Sequence, residues 1–206
     1  MHESTTGSTV VGPAGPSASR VVVVGQGYVG LPLAMRGVEA GHDVIGFEID
    51  KRKVSGLSSG LSHIDDITDD DLEWALATGR YRPTEVEADL EGFDVAVITV
   101  PTPLTDGIPD ISCIEEAVAT IGQHVSVGST VVLESTTYPG TTDEIVVPML
   151  EGASNLVAGV DFWVGFSPER IDPGNASWDF RRTPKLVSGV DERSLEVVDE
   201  FYRSLV

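Results

Sequence analysis

Cysteine, lysine and long apolar runs are what this 206-residue sequence has least of. One cysteine, Cys113, excludes an internal disulfide and a cysteine-built zinc site. His2, His42, His63 and His124 share no ligand spacing, so no metal is assigned. No apolar run approaches the roughly 18 residues of a membrane span. No basic start leads into an apolar stretch, as a secretory signal would require. Basic residues number 13 against 33 acidic, for a net charge of -20. Nucleic acid and anionic membranes both demand cationic surfaces, so neither is an expected partner. A cytoplasmic location is the expectation. Lysine contributes only three of the basic residues. That bias fits either a high-salt cytoplasm, where carboxylates keep a surface hydrated, or ordinary acidic drift.

What remains is the composition of a soluble globular chain, 41% hydrophobic and 22% charged. Residues 1–19 are Ser, Thr, Gly, Pro and Ala for the most part. They hold too little apolar surface to offset their ordering entropy, which implies a disordered tail or a remnant of cloning. The domain is expected over 20–206. Short β-branched runs there alternate with helical patterns. Strands are expected at Val21 to Val24, Asp43 to Glu48, Asp94 to Val100, Ser129 to Glu134, Phe162 to Phe166 and Lys185 to Ser188. Helices are expected from about Val29 to Ala40, Asp50 to Leu57, Asp69 to Thr78, Ser112 to His124, Thr141 to Leu150, and Asp191 to the end. Ser112–Glu115 and Thr141–Glu144 have capping-box spacing. The fold class is α/β: a Rossmann-type, doubly wound, mainly parallel sheet with helices on both faces.

The first strand runs into Gly25-Gln26-Gly27-Tyr28-Val29-Gly30, a G-x-G-x-x-G between strand and helix. The first Gly allows the tight turn, the second a close approach of backbone to pyrophosphate, the third close helix–strand packing. The helix start offers free N–H groups to phosphates. Glu48 closes the second strand, where a carboxylate can accept from both adenosine ribose hydroxyls. A dinucleotide site follows, with a methyl donor such as S-adenosylmethionine or a non-binding glycine turn as rivals. A carboxylate there repels a 2′-phosphate, which favours NAD over NADP. Lys51, Arg52 and Lys53 either oppose that preference or simply open a solvated helix.

Ligands of open α/β sheets collect beyond the carboxyl strand ends. Three segments reach that edge. Val100-Pro101-Thr102-Pro103-Leu104 offers the Thr102 hydroxyl or only a rigid loop. Glu134-Ser135-Thr136-Thr137-Tyr138-Pro139-Gly140 offers hydroxyls that serve a ligand or the local backbone. Phe166 to Asn175 carries Glu169, suited to general-base work, and Arg170, suited to an anion, with a surface salt bridge as the plain alternative. Cys113 reads as a small buried side chain.

Together these segments resemble the UDP-glucose/GDP-mannose dehydrogenase family, in its NAD-binding N-terminal domain, from Arg20 onward. Ser167-Pro168-Glu169-Arg170-Ile171-Asp172-Pro173-Gly174-Asn175 is similar to the branch that oxidises UDP-N-acetylglucosamine at C6. The resemblance implies oxidation of a sugar-nucleotide alcohol to a carboxylate with two NAD, in polysaccharide or glycan precursor synthesis. It implies Gly25, Gly27, Tyr28, Val29 and Gly30 at the pyrophosphate, and Glu48 and Lys53 at the adenosine ribose. Thr102, Ser135 and Thr136 would contact the cofactor, Thr136 also near the reacting carbon. Glu169 would assist proton transfer and thioester hydrolysis, and Arg170 would face the substrate.

Family members continue into a linking helix and a second domain that supply Lys, Asn, a Gly-Gly-x-Cys nucleophile and Asp. This sequence holds none of these motifs, and Cys113 matches no nucleophile pattern. The expectation is a chain that binds NAD but is inactive alone. Family members associate largely through the linking helix, so a homo-oligomer is expected of the full-length protein. A non-catalytic dinucleotide-binding or regulatory module, or a UDP-glucose 6-dehydrogenase branch, are the competing readings.

Overall fold

β-Branched runs with no charged residue suit strands buried on both faces. β1 (Arg20–Val24) holds such a run in Val21 to Val24, after Arg20 at its start, and the alternate valines feed two separate cores. In the computed structural model, which describes residues 18–105, 107–169 and 184–206, β1 is followed by α1 (Gly30–Glu39), β2 (Asp43–Phe47), α2 (Lys51–Ser58) and α3 (Asp69–Ala77). Then come β3 (Tyr81–Thr84), β4 (Val95–Ile98), the small hairpin of β5 (Leu104–Thr105) and β6 (Ile108–Pro109), and α4 (Ser112–Gly122). The chain continues through β7 (Thr130–Leu133), α5 (Val147–Ser154), β8 (Trp163–Phe166), β9 (Ser188–Gly189) and α6 (Glu192–Leu205).

The main sheet has seven strands in the order β3-β2-β1-β4-β7-β8-β9. All neighbours are parallel except β8 and β9, which are antiparallel. This is the doubly wound architecture the alternation implied. Val21 and Val23 pack with Leu31, Leu72, Val198 and Leu205, so α1, α3 and α6 cover one face. Val22 and Val24 pack with Ile114, Ile121 and Leu150, so α4 and α5 cover the other. The winding reverses between β1 and β4, and a cleft must open at their carboxyl ends.

Several local expectations need correction. β3 went unforeseen because Pro83 interrupts its pattern; a proline is tolerated there because the strand is at an edge. The strand expected at Lys185 to Ser188 is the two-residue β9, one position further on. Neither proposed capping box forms. Ser112 lies inside α4, its amide donating to Asp110 at 3.0 Å. Thr141 opens a π-helical turn, Thr142–Val146, and donates its hydroxyl to the Tyr138 carbonyl. The capping box that does form is Thr68 with Asp71, ahead of α3. Ser19 is tied to the sheet, its amide donating to His42 Nδ1 at 3.1 Å.

Candidate functional site

The glycine turn is shaped by its neighbours. Gly25 has φ +91°, open only to glycine without strain. A Cβ on Gly30 would lie 1.8 Å from the Gly25 carbonyl oxygen, so the helix start touches the turn directly. A Cβ on Gly27 would meet nothing within 4 Å, so that face is open. The Thr99 hydroxyl ties down the turn from β4, within hydrogen-bond reach of the carbonyls of Val24 and Gly25. Gln26 is wholly buried; it donates to Val23 and accepts from the Tyr81 hydroxyl at 2.8 Å. No side chain caps α1 and its first turn holds no acidic residue. The Leu31 and Leu33 amides already donate to the Gly27 and Val29 carbonyls, and Pro32 has none. It is the turn at Gly27, Tyr28 and Val29, with the positive end of α1 behind it, that faces the cleft.

Glu48 sits just past β2, 7% exposed. Its Oε2 accepts from the Gln26 amide at 3.2 Å and its Oε1 from the Asp50 amide at 3.0 Å. Lys53 Nζ stands 3.5 Å from Oε2. The carboxylate is thus aimed by backbone donors, and its remaining lone pairs can accept from a diol. Arg52 is occupied elsewhere, paired with Asp50 at 3.0 Å on the exposed side of α2.

One cleft of about 720 Å³ joins these parts to the far strand ends. Gly25, Gly27, Tyr28, Val29, Glu48 and Lys53 line one half, and Thr102, Ser135, Thr136 and Glu169 the other. Gly30 is buried behind the turn. Arg170 lies outside the described residues. Thr136 is exposed at the surface of the cleft. The Ser135 hydroxyl is turned inward, donating to the Val100 carbonyl at 2.8 Å, so it braces β4 against β7. Cys113 is half-buried and lines the cleft with Glu116 and Thr120 of α4, which corrects its reading as a core side chain.

A buried ionic cluster beneath the β7 and β8 ends is not legible in the sequence pattern. Glu134, which also lines the cleft, is fully buried, and burial pushes its carboxyl above the usual range against the pull of Lys185. Lys185 Nζ lies 2.8 Å from Glu134 Oε1 and 2.8 Å from Glu169 Oε2. The Tyr202 hydroxyl of α6 donates to the same Glu134 oxygen at 2.5 Å. Glu134, Lys185 and Tyr202 are 68 positions apart at most, and only the alternation of a charged residue with strand ends could have pointed to Glu134. Among the described residues no cluster of His, Cys, Asp or Glu fits a metal ion, and no helix is long and apolar enough to cross a membrane.

An open glycine face, an uncapped helix start and a strand-end carboxylate fit an elongated ligand with a diol at one end and phosphates at its centre. That combination defines a dinucleotide-binding domain of the Rossmann class. The chain belongs to the UDP-glucose/GDP-mannose dehydrogenase family: the model of that family's NAD binding domain matches residues 19–206. It is similar to UDP-N-acetyl-D-glucosamine 6-dehydrogenase of Pseudomonas aeruginosa, 37% identical over 190 residues, covering 91% of this chain and 44% of that protein. It is similar in structure to UDP-N-acetyl-D-mannosamine dehydrogenase of Pyrococcus horikoshii, with TM-score 0.85, 36% identity, 91% of this chain and 45% of the other covered. A ternary complex of GDP-mannose dehydrogenase from Pseudomonas aeruginosa superposes with TM-score 0.83 at 32% identity, over 90% of this chain and 44% of that one. The chain therefore spans somewhat under half the length of the relatives it matches, and the part it spans is the NAD-binding one.

Proposed function

We propose that this chain supplies the NAD-binding half of a cytoplasmic nucleotide-sugar 6-dehydrogenase. Its substrate on this reading is a UDP-N-acetylhexosamine, UDP-N-acetylglucosamine being favoured by the wording from Ser167 to Asn175. The observation that carries the proposal is the single cleft with a diol-accepting carboxylate, Glu48, at one end and Thr136 and Glu169 at the other. Bound NAD would accept hydride from C6 of the sugar.

The chain's own groups divide the remaining work. The Gly25–Gly30 turn and the positive end of α1 hold the pyrophosphate, with Tyr28 and Val29 along its side. Glu48 and Lys53 fix the adenosine ribose, which sets the reach of the cofactor along the cleft. Thr102, Ser135 and Thr136, at the other half of the cleft, would hold its nicotinamide end. Glu169 then moves a proton at the C6 hydroxyl oxygen and orients water for the hydrolytic step, while Arg170 is assigned to the sugar-nucleotide anion. Positioning by these groups is where their catalytic contribution lies. The full-length protein is proposed to be a homo-oligomer.

The test is to titrate the 206-residue chain calorimetrically with NAD, then incubate it with NAD and UDP-N-acetylglucosamine and follow NADH absorbance. Binding without NADH is expected, because a covalent thioester route needs a positioned thiolate. Absence of NAD binding would overturn the proposal. Sustained turnover abolished by Cys113→Ser would overturn the division of labour between this chain and a second domain.

A further inference from the structure

Lysine is the scarcest charge in this protein, and Lys185 is the one placed in its interior. Its side chain is 7% exposed. A buried ammonium persists only when ion-paired and hydrogen-bonded. One carboxylate would suffice for that. Two reach it, Glu134 and Glu169, each at 2.8 Å.

The two carboxylates are held very differently. Glu134 follows β7 directly, its side chain is fully buried, and Tyr202 donates to its Oε1. The ring of Tyr202 also lies under the ammonium, with Nζ 5.4 Å from its centroid. Tyr202 belongs to α6, whose inner face is packed into the core through Val198, Phe201 and Leu205. Glu134, Lys185 and Tyr202 thus form a floor built on a strand and a packed helix. Glu169 stands three residues past β8, outside any strand or helix, with a side chain 12% exposed at the cleft.

We infer that Lys185 is a positioning residue: anchored to Glu134 and Tyr202, it holds the Glu169 carboxylate in one orientation at the cleft. The inference rests on the reading of Glu169 as the group that moves a proton there, and it adds the device that keeps that loop carboxylate aimed. Proton transfer demands hydrogen-bond reach of the reacting atom, so an unanchored Glu169 would serve poorly.

The orientation of Glu169 is read directly by NMR in the 206-residue chain, from the side-chain couplings that report its χ1 rotamer. The native chain should show one rotamer, and a Lys185 ammonium resonance slow to exchange with water. Lys185→Met leaves Glu134 buried without its cation and is expected to lower thermal stability. The double variant Glu134→Gln with Lys185→Met removes both charges together and restores it. In that folded double variant the Glu169 couplings should average over rotamers, while NAD affinity stays within about two-fold, since the ribose and pyrophosphate contacts lie elsewhere. A Glu169 still locked in its native rotamer in the double variant would overturn the inference. A catalytically silent Glu169→Gln in an active enzyme would instead remove the role given to Glu169, leaving the rotamer result intact.

Discussion

Gly27 and Gly30 share one motif, yet the structure assigns them opposite costs. Replacing Gly30 by Ala puts a methyl 1.8 Å from the Gly25 carbonyl oxygen and 2.5 Å from the Thr99 hydroxyl. An ordinary contact is about 3.5 Å, so the carbonyl must withdraw by roughly 1.7 Å. That carbonyl is backbone, held in turn by Thr99, and cannot swing aside as a side chain would. Overpacking of this kind costs typically about 1–3 kcal/mol, and the rigidity of the obstacle puts Gly30→Ala at about 3. Gly27→Ala meets nothing within 4 Å, so the free protein should keep its stability within about 0.5 kcal/mol. Its cost appears only when pyrophosphate needs the space the methyl occupies, as at least about a ten-fold loss of NAD affinity, or ~1.4 kcal/mol. Urea unfolding without ligand and calorimetric titration with NAD separate the two effects. A Gly27→Ala protein that binds NAD as tightly as the native one would refute the placement of the pyrophosphate. A Gly30→Ala protein with an unshifted urea midpoint would refute the packing argument.

Glu48→Ala should remove charge-assisted hydrogen bonds to the ribose, worth about 1.5–3 kcal/mol. Parallel titrations should show weaker NAD binding and a narrower gap to NADP; equal affinity for both cofactors in the native chain would sink the argument. Asp191 caps α6 by accepting from the Ser194 amide at 2.9 Å and the Ser194 hydroxyl at 2.8 Å. Asp191→Ala should cost about 1 kcal/mol in urea unfolding, and an unchanged midpoint would show that the cap contributes nothing. Burial holds the His42 imidazole below its ordinary value, and its Nδ1 accepts from the Ser19 amide. The unfolded chain therefore takes up this proton first. The stability that His42 contributes is fully present above the unfolded value of about 6.5 and is lost as pH falls toward the lower folded value. Unfolding measured from pH 7.5 downward should show that slope, and His42→Gln should lack it.

Elements whose identity depends on local pattern were legible in the sequence. β1, β4 and β7 are built on short apolar runs, and α1 carries Pro32 in its first turn and is followed by Gly41 at φ +93°. The glycine turn and Glu48 could be read because their spacing is fixed by one strand–helix–strand unit. Where the outcome depended on distant partners, the sequence was silent. β3 exists because Val44 to Phe47 offer it a ladder that tolerates Pro83. Ser112 has the spacing of a cap, but Asp110 supplies the acceptor first. Lys185 looks like any surface lysine until β9 folds back antiparallel and brings it beneath β7. Tyr202 reads as one more apolar position of α6, and only its hydroxyl contact with Glu134 marks it otherwise.

The two margins of the main sheet govern how copies of this protein behave when crowded. At one margin, β3 carries Pro83, which offers no amide, and Arg82, which is paired with Asp89 at 2.7 Å. At the other, β9 is two residues long, and a Cβ on Gly189 would lie 2.1 Å from the Leu195 amide nitrogen of α6. Among the described residues, neither margin presents the long, flat ladder on which a second chain could add a strand. With a net charge of -20 on each copy, mutual repulsion works in the same direction. Concentrated samples at low ionic strength should therefore resist fibril formation. What clumping occurs on adding salt should come from side-chain patches, such as the exposed Val157 and Val160, and not from edge-to-edge sheet growth.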